Sequence, residues 1–195
     1  HEQLAEIEEI DAPDWDDLAD RLRNLPTGKA AADDYEKLIE EILSALFYPS
    51  LCNPTKQHKI HDGRKRIDIT YTNEAKSGFF AWLLQHYPSA FIFVECKNYG
   101  SEVGNPEIDQ LGGRFSPSRG KVGILVCRSL DKPDALQARC TDTAKDDRGF
   151  ILYLTDEDVI DLIKQAKGGV TSMDFPLLVR KFRTLVDWCP TNRCR

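Results

Sequence analysis

No apolar run in this 195-residue chain approaches the roughly 18–20 residues that a membrane-crossing helix needs, so an integral helical membrane protein is excluded. No basic-then-apolar leader opens the sequence, and a cytoplasmic location is expected. It has no internal repeat, no low-complexity tract and no Cys-x-x-Cys pair, the last of which argues against structural zinc. Lysine and arginine are missing altogether from residues 1–20. What remains is ordinary globular material, 41% hydrophobic and 30% charged with 12 Gly and 10 Pro, which excludes a disordered or fibrous protein. The length fits one domain with appendages or at most two small ones. The chain begins at His1 rather than Met and reads as a fragment or a processed chain.

The six cysteines are Cys52, Cys96, Cys127, Cys140, Cys189 and Cys194. Cys96 and Cys127 lie inside apolar runs, where a reduced thiol behaves as a small buried hydrophobe, and Cys189-x4-Cys194 stands alone at the tail. A reducing compartment is the expectation. The formal net charge is -6, but nine acids fall within residues 1–20, which leaves 26 bases against 23 acids beyond them. Basic clusters stand at Lys56–Arg66, with His58 and His61 as loop residues, and at Arg180–Arg183. Net charge therefore does not veto a polyanionic partner.

Trp15, Leu18, Leu22 and Leu25 recur at helical spacing until Pro26-Thr27-Gly28 stops them, and Thr27–Ala32 reads as a linker. The strongest helix follows: Tyr35, Leu38, Ile39, Ile42, Leu43, Leu46 and Phe47 line one face, with Asp33 or Asp34 as N-cap and Pro49 as the stop. Strands are predicted at Arg66–Tyr71, Phe91–Lys97, Val122–Cys127 and Phe150–Leu154. Helices are predicted at Gly78–Tyr87, Pro106–Phe115, Pro133–Lys145, Asp156–Lys167 and Phe175–Val186. Strands alternating with helices give an α/β core with a mixed central sheet flanked by helices. The expected division is an acidic lead-in, short helix and linker over 1–32, a core over 33–167, and a C-terminal helix and tail over 168–195.

The informative feature is Glu95-Cys96-Lys97 at the end of the most apolar strand. Residues two apart in a strand share a face, so Glu95 and Lys97 project together and Cys96 faces the other way. A carboxylate and an ammonium at the end of a buried strand are costly unless paired or liganded. Asp68 interrupts an equally apolar run, Ile67-Asp68-Ile69, and is the second carboxylate. Two hard oxygen donors and a lysine suit Mg²⁺-assisted phosphodiester hydrolysis, with Lys97 orienting or deprotonating the attacking water. The Cys96 backbone carbonyl is a further candidate ligand. The plainer reading is that Asp68 and Glu95 form ion pairs with Arg66 and Lys97.

The order Asp68 … Glu95-x-Lys97 resembles the PD-(D/E)xK, or restriction-endonuclease-like, nuclease superfamily, and within it the Mrr-type branch. Tyr35-Glu36-Lys37-Leu38-Ile39 resembles that branch's opening helix, with Glu36 at its acidic position. Gly63-x-x-x-Ile67-Asp68-Ile69 resembles the segment of the first metal carboxylate, and Gln110-Leu111 the polar position on the helix after the core motif. The usual proline before the first aspartate is Ile67 here. The 26 residues between Asp68 and Glu95 exceed what a hairpin requires, and Phe79, Phe80, Trp82, Leu83 and Leu84 mark an inserted helix.

The resemblance implies a restriction-endonuclease-like core with N-terminal and C-terminal helical additions. It implies a DNA endonuclease that uses Mg²⁺, with Mn²⁺ as a substitute, in restriction or anti-phage defence. Glu36, Asp68, Glu95, Lys97 and Gln110 are the expected catalytic set, with Asp68, Glu95 and the Cys96 carbonyl on the metal. Glu40, a helical turn after Glu36, is the weaker alternative to it. Lys56, Lys59, Arg64, Lys65, Arg66 and Asn98 are the expected DNA contacts. A homodimer, or other domains or subunits of a defence system, are the expected partners besides DNA. Two rivals stand beside this reading: a structure-selective nuclease such as a Holliday-junction resolvase, and a nuclease-like fold kept as a non-catalytic DNA-binding or interaction module.

Overall fold

A computed structural model of the protein describes residues 13–56, 69–99, 103–168 and 173–187. The apolar spacing of the N-terminal third produces two helices, α1 (Trp15–Asn24) and α2 (Ala32–Phe47). Asp14 caps α1, its side chain accepting from the Asp17 N–H at 3.0 Å. In α2 every position named by the pattern, from Tyr35 to Phe47, is buried. Asp33 and Asp34 sit inside its first turn rather than capping it, because a short 3-10 turn over Lys29–Ala31 leads directly into the helix. The expected linker is thus partly ordered backbone.

Five strands form one sheet in the order β1 (Leu51–Lys56), β2 (Ile69–Asn73), β3 (Phe91–Lys97), β4 (Val122–Cys127) and β5 (Phe150–Thr155). The pairs β1·β2 and β2·β3 are antiparallel, and β3·β4 and β4·β5 are parallel, so the sheet is mixed. All six residues of β4 are buried, as a strand covered on both faces requires. The remaining helices are α3 (Gly78–His86), α4 (Asn105–Gly112), α5 (Pro133–Lys145), α6 (Asp156–Lys167) and α7 (Pro176–Asp187). The helices α1, α2 and α6 pack together, with α2 against β1 and β3 and α6 against β5. The helices α4, α5 and α7 form a second group, with α4 against β3 and β4, and α5 and α7 against β5. The protein is an α/β fold, as the sequence pattern implies.

Strand β1 is an element that the sequence pattern does not announce. Pro54 lies within it, Asn53 has a φ of 51°, and the register slips between Cys52 and Thr55. Proline and a bulge are tolerated there because β1 is an edge strand. The helix between β2 and β3 is present as expected. Its Phe80 ring meets Phe47 of α2 edge-on at 5.1 Å, and its Phe79 ring lies 6.1 Å from Phe182 of α7. Leu18 and Leu22 of α1 and Leu177, Leu178 and Phe182 of α7 belong to the same hydrophobic core as the sheet.

Candidate active site

Strand β3 carries the site because it is central and ends in charge. Ile92, Phe93 and Val94 are fully buried, and the chain then places Glu95 at 3% exposure. Strand alternation puts Glu95 and Lys97 on one face, and the Lys97 ammonium donates to Glu95 Oε1 at 2.6 Å. From α4, the Gln110 side-chain amide donates to the same oxygen at 2.8 Å. One carboxylate oxygen therefore takes a charged and a neutral donor, which is how a buried carboxylate is held at modest cost. Of the two ion pairs of the plainer reading, Glu95–Lys97 is present, while Asp68 and Arg66 lie outside the described residues; the pair coexists with the gathering of three expected residues. Cys96 projects from the opposite face. Burial pushes its thiol well above the ordinary range, and Glu36 on α2 adds to the rise.

Glu36 reaches the same cleft from the first turns of α2. The cleft holds about 510 Å³ and is bordered by Gly28, Lys29, Asp33, Glu36, Glu95 and Lys97, among others. Glu36 is 9% exposed, and its Oε1 has no hydrogen-bond partner among the described residues. Burial pushes its carboxyl up to about 7, against the pull of Lys56 and with help from Asp33, Glu40 and Glu95. A carboxyl titrating there can hold or release a proton near neutral pH. Glu40 is paired with Lys56, which sets the two acids of α2 apart: Glu40 is bound to a cation, Glu36 faces the cleft.

The chain leaving β3 is tied down at once. Asn98 is 4% exposed and donates through Nδ2 to the carbonyls of Pro26 at 3.0 Å and Gly28 at 2.8 Å. The Tyr99 hydroxyl donates to Glu107 Oε1 at 2.9 Å, and Glu107 Oε2 accepts the Gly104 N–H at 2.8 Å. Glu107 thereby spans the start of α4, the helix that delivers Gln110.

Of the expected catalytic residues, the structure brings Glu36, Glu95, Lys97 and Gln110 together. Asp68 lies outside the described residues; its chain neighbour Ile69 pairs with Val94 of β3. Lys59, Arg64, Lys65 and Arg66 also lie outside them, as do His58, His61, Cys189 and Cys194. Among the expected DNA contacts, Lys56 is bound to Glu40. Asn98 borders the cleft, is buried, and donates both amide hydrogens to backbone carbonyls. Cys52, Cys96, Cys127 and Cys140 are free thiols. Among the described residues no group of three His, Cys, Asp or Glu side chains stands ready to hold a metal. Lys29 and Asp33 also border the cleft, though the sequence places Lys29 only in a linker and Asp33 only as an N-cap candidate, because neither belongs to a motif that local pattern ties to β3.

No protein-family model and no solved structure matches the chain. Over 121 residues, 62% of its length, the chain is 27% identical to an Escherichia coli K12 protein described as "Putative transposon gamma-delta 80.3 kDa protein". It spans 17% of that relative, so the likeness is to a segment of a longer protein.

Proposed function

We propose that this chain is a metal-dependent DNA endonuclease of the restriction-endonuclease-like type. One observation carries the reading: Lys97 and Gln110 converge on a single oxygen of Glu95 at the end of the central strand, beside a cleft that Glu36 shares. A mixed sheet whose antiparallel half carries β2 and whose parallel half begins at β3 supports it.

The donor chemistry fits a hard divalent cation in part. Glu95 and the buried, hydrogen-bond-free Oε1 of Glu36 are oxygen donors of the kind Mg²⁺ takes, with Asp68 and the Cys96 carbonyl as the further expected ligands. Bound there, the cation would supply Lewis-acid polarisation of the phosphate and an acidified water. The chain's own residues do the rest. Gln110 fixes Glu95 in one rotamer, Lys97 places a positive charge at the cleft where phosphate charge develops, and Glu36 holds or yields a proton near neutrality.

The test is cleavage of supercoiled plasmid with Mg²⁺, Mn²⁺ or EDTA, using the wild type, Lys97→Ala and Asp68→Ala. Divalent-dependent nicking or linearisation, lost in both variants, is the expected result. Folded protein that cuts under none of these conditions overturns the reading in favour of a DNA-binding or interaction module. The setting in restriction or anti-phage defence rests on the resemblance alone.

A further inference from the structure

We infer that Asn98 is the positioning residue that sets Glu36 against the Glu95–Lys97 pair, by stitching the α1–α2 connection to the end of β3. This inference rests on the nuclease reading for its kinetic consequence, though not for its structural one.

The geometry is a three-bond tie. Asn98 Nδ2 donates to Pro26 O and to Gly28 O, at 3.0 and 2.8 Å, and the Gly28 N–H donates back to Asn98 O at 2.8 Å. Both sides of the tie lead into the site, one directly and the other eight residues on. On one side Asn98 directly follows Lys97, the last residue of β3. On the other, Gly28 opens the 3-10 turn over Lys29–Ala31, which runs into α2 and reaches Glu36. Arg128 holds the Leu22 and Leu25 carbonyls just before this segment, and the Asn98 tie takes over from there at Pro26 and Gly28. The 3-10 turn and α2 both begin without a side-chain cap, Gly28 and Ala31 having nothing to offer their N–H groups. Gly28 has a φ of 107°, a conformation that glycine adopts readily and that turns its carbonyl and N–H toward the same asparagine.

The amide is placed for its hydrogens. Asn98 Oδ1 is buried and has no hydrogen-bond partner among the described residues, an expensive arrangement that the two donated bonds must offset. A side chain selected only to fill space here would be apolar. An aspartate, of the same shape, would face two carbonyl oxygens with oxygen of its own.

A misplacement of catalytic groups by about an ångström costs on the order of a hundredfold in rate, and it acts on turnover rather than on binding. The experiment compares wild type, Asn98→Ala and Asn98→Asp in two measurements. The first is steady-state cleavage of plasmid DNA with Mg²⁺, separated into kcat and KM. The second is amide hydrogen exchange at Gly28 and at residues 33–36, read against the strand amides of β3, β4 and β5. The expected result is a loss of about tenfold or more in kcat with little change in KM. Faster exchange is expected at Gly28 and residues 33–36, with the strand amides unaltered. An unchanged kcat, or a rise in KM alone as a DNA contact would give, overturns the inference. Should the wild type cut no DNA, the nuclease reading fails separately, and unchanged exchange at Gly28 and residues 33–36 would still overturn the tie. If Asn98→Ala and Asn98→Asp lose their cooperative unfolding transition, the same readings on Asn98→Gln, which shifts the amide by one methylene, decide in the same way.

Discussion

Gln110 and Glu95 are joined by a 2.8 Å hydrogen bond between α4 and the end of β3, and the oxygen that accepts it is also the one that receives Lys97. The bond gives Gln110 a definite task. Glu95 has two oxygens, and fixing one toward Gln110 and Lys97 fixes the direction of the other. Removing one neutral donor to a buried carboxylate costs about 1.5–3 kcal/mol. Under the proposed nuclease function, where Glu95 must be held in place in the transition state, Gln110→Leu is expected to lower kcat for DNA cleavage by roughly ten- to a hundredfold at nearly constant KM. Gln110→Glu, which sets a second acid against Glu95, is expected to do worse unless the pair shares a proton. Steady-state cleavage at several DNA concentrations distinguishes this from a substrate contact, which would raise KM instead.

Much of this was legible in the sequence, for local reasons. The period-2 alternation of β3 put Glu95 and Lys97 on one face, and the period-3.6 pattern of α2 marked its buried side. The placement of Gln110 beside Glu95 came from resemblance, since nothing local ties residues on different elements. The tie made by Asn98 was illegible because it depends on where the α1–α2 connection passes, a fact of tertiary structure. Strand β1 escaped because Pro54 and the left-handed Asn53 break every signal a strand normally gives. Helix α3 was visible in Phe79–Leu84, but not the reason it docks, which is the contact of Phe79 and Phe80 with rings on α7 and α2.

Glu36 makes stability depend on pH in a direction opposite to most carboxylates. Burial lifts its carboxyl from the ordinary 4.5 to about 7, so between those values the folded chain holds a proton that the unfolded chain has released. Its stabilising contribution is complete below pH 4.5 and is lost as the pH rises through 7. The difference is on the order of 3 kcal/mol. Glu36→Gln stays neutral throughout, so its advantage over the wild type should grow from pH 4.5 to pH 8 without added metal. Urea unfolding at pH 4.5, 6 and 8 measures it, and parallel curves for the two proteins would show that Glu36 is not the group responsible.

Gly78 is fixed by a close approach of backbone to backbone. It has a φ of 74°, and a Cβ at that position would lie 2.1 Å from the Met173 carbonyl oxygen, which accepts the Phe79 N–H at 2.9 Å. Neither the left-handed backbone nor the contact with a main-chain oxygen yields cheaply. Gly78→Ala is expected to cost about 1–3 kcal/mol from backbone strain, with a further loss if the Phe79 bond breaks. Because Phe79 also meets Phe182, the damage should reach α7. Thermal unfolding gives the size of the effect, and hydrogen exchange at residues 177–185 shows whether α7 loosens; a variant as stable as the wild type would mean that the two segments move apart freely.

Arg128 closes a buried cluster that joins three helices. Its Nε pairs with Asp156 Oδ2 at 3.2 Å, and its guanidinium donates to the carbonyls of Leu25 at 2.6 Å and Leu22 at 3.3 Å. It also lies 5.2 Å over the Tyr35 ring, while the Tyr35 hydroxyl donates to Asp156 Oδ1 at 2.7 Å. Even with this company, burial holds the Asp156 carboxyl up at about 6. Arg128→Met leaves that carboxyl with Tyr35 alone and strips partners from the end of α1. Breaking a buried pair from one side costs about 3–5 kcal/mol, and the charge left behind is the reason. The penalty should therefore be large at pH 8, where Asp156 is ionised, and smaller at pH 5, where it already carries a proton. Adding Asp156→Asn should recover part of the loss at pH 8 and little at pH 5, because the amide removes the stranded charge and still accepts from Tyr35. Urea unfolding of the two single variants and the double variant at both pH values measures this coupling. An equal penalty at pH 5 and pH 8 would place the contribution of Arg128 in its packing over Tyr35 and its bonds to α1, not in its charge.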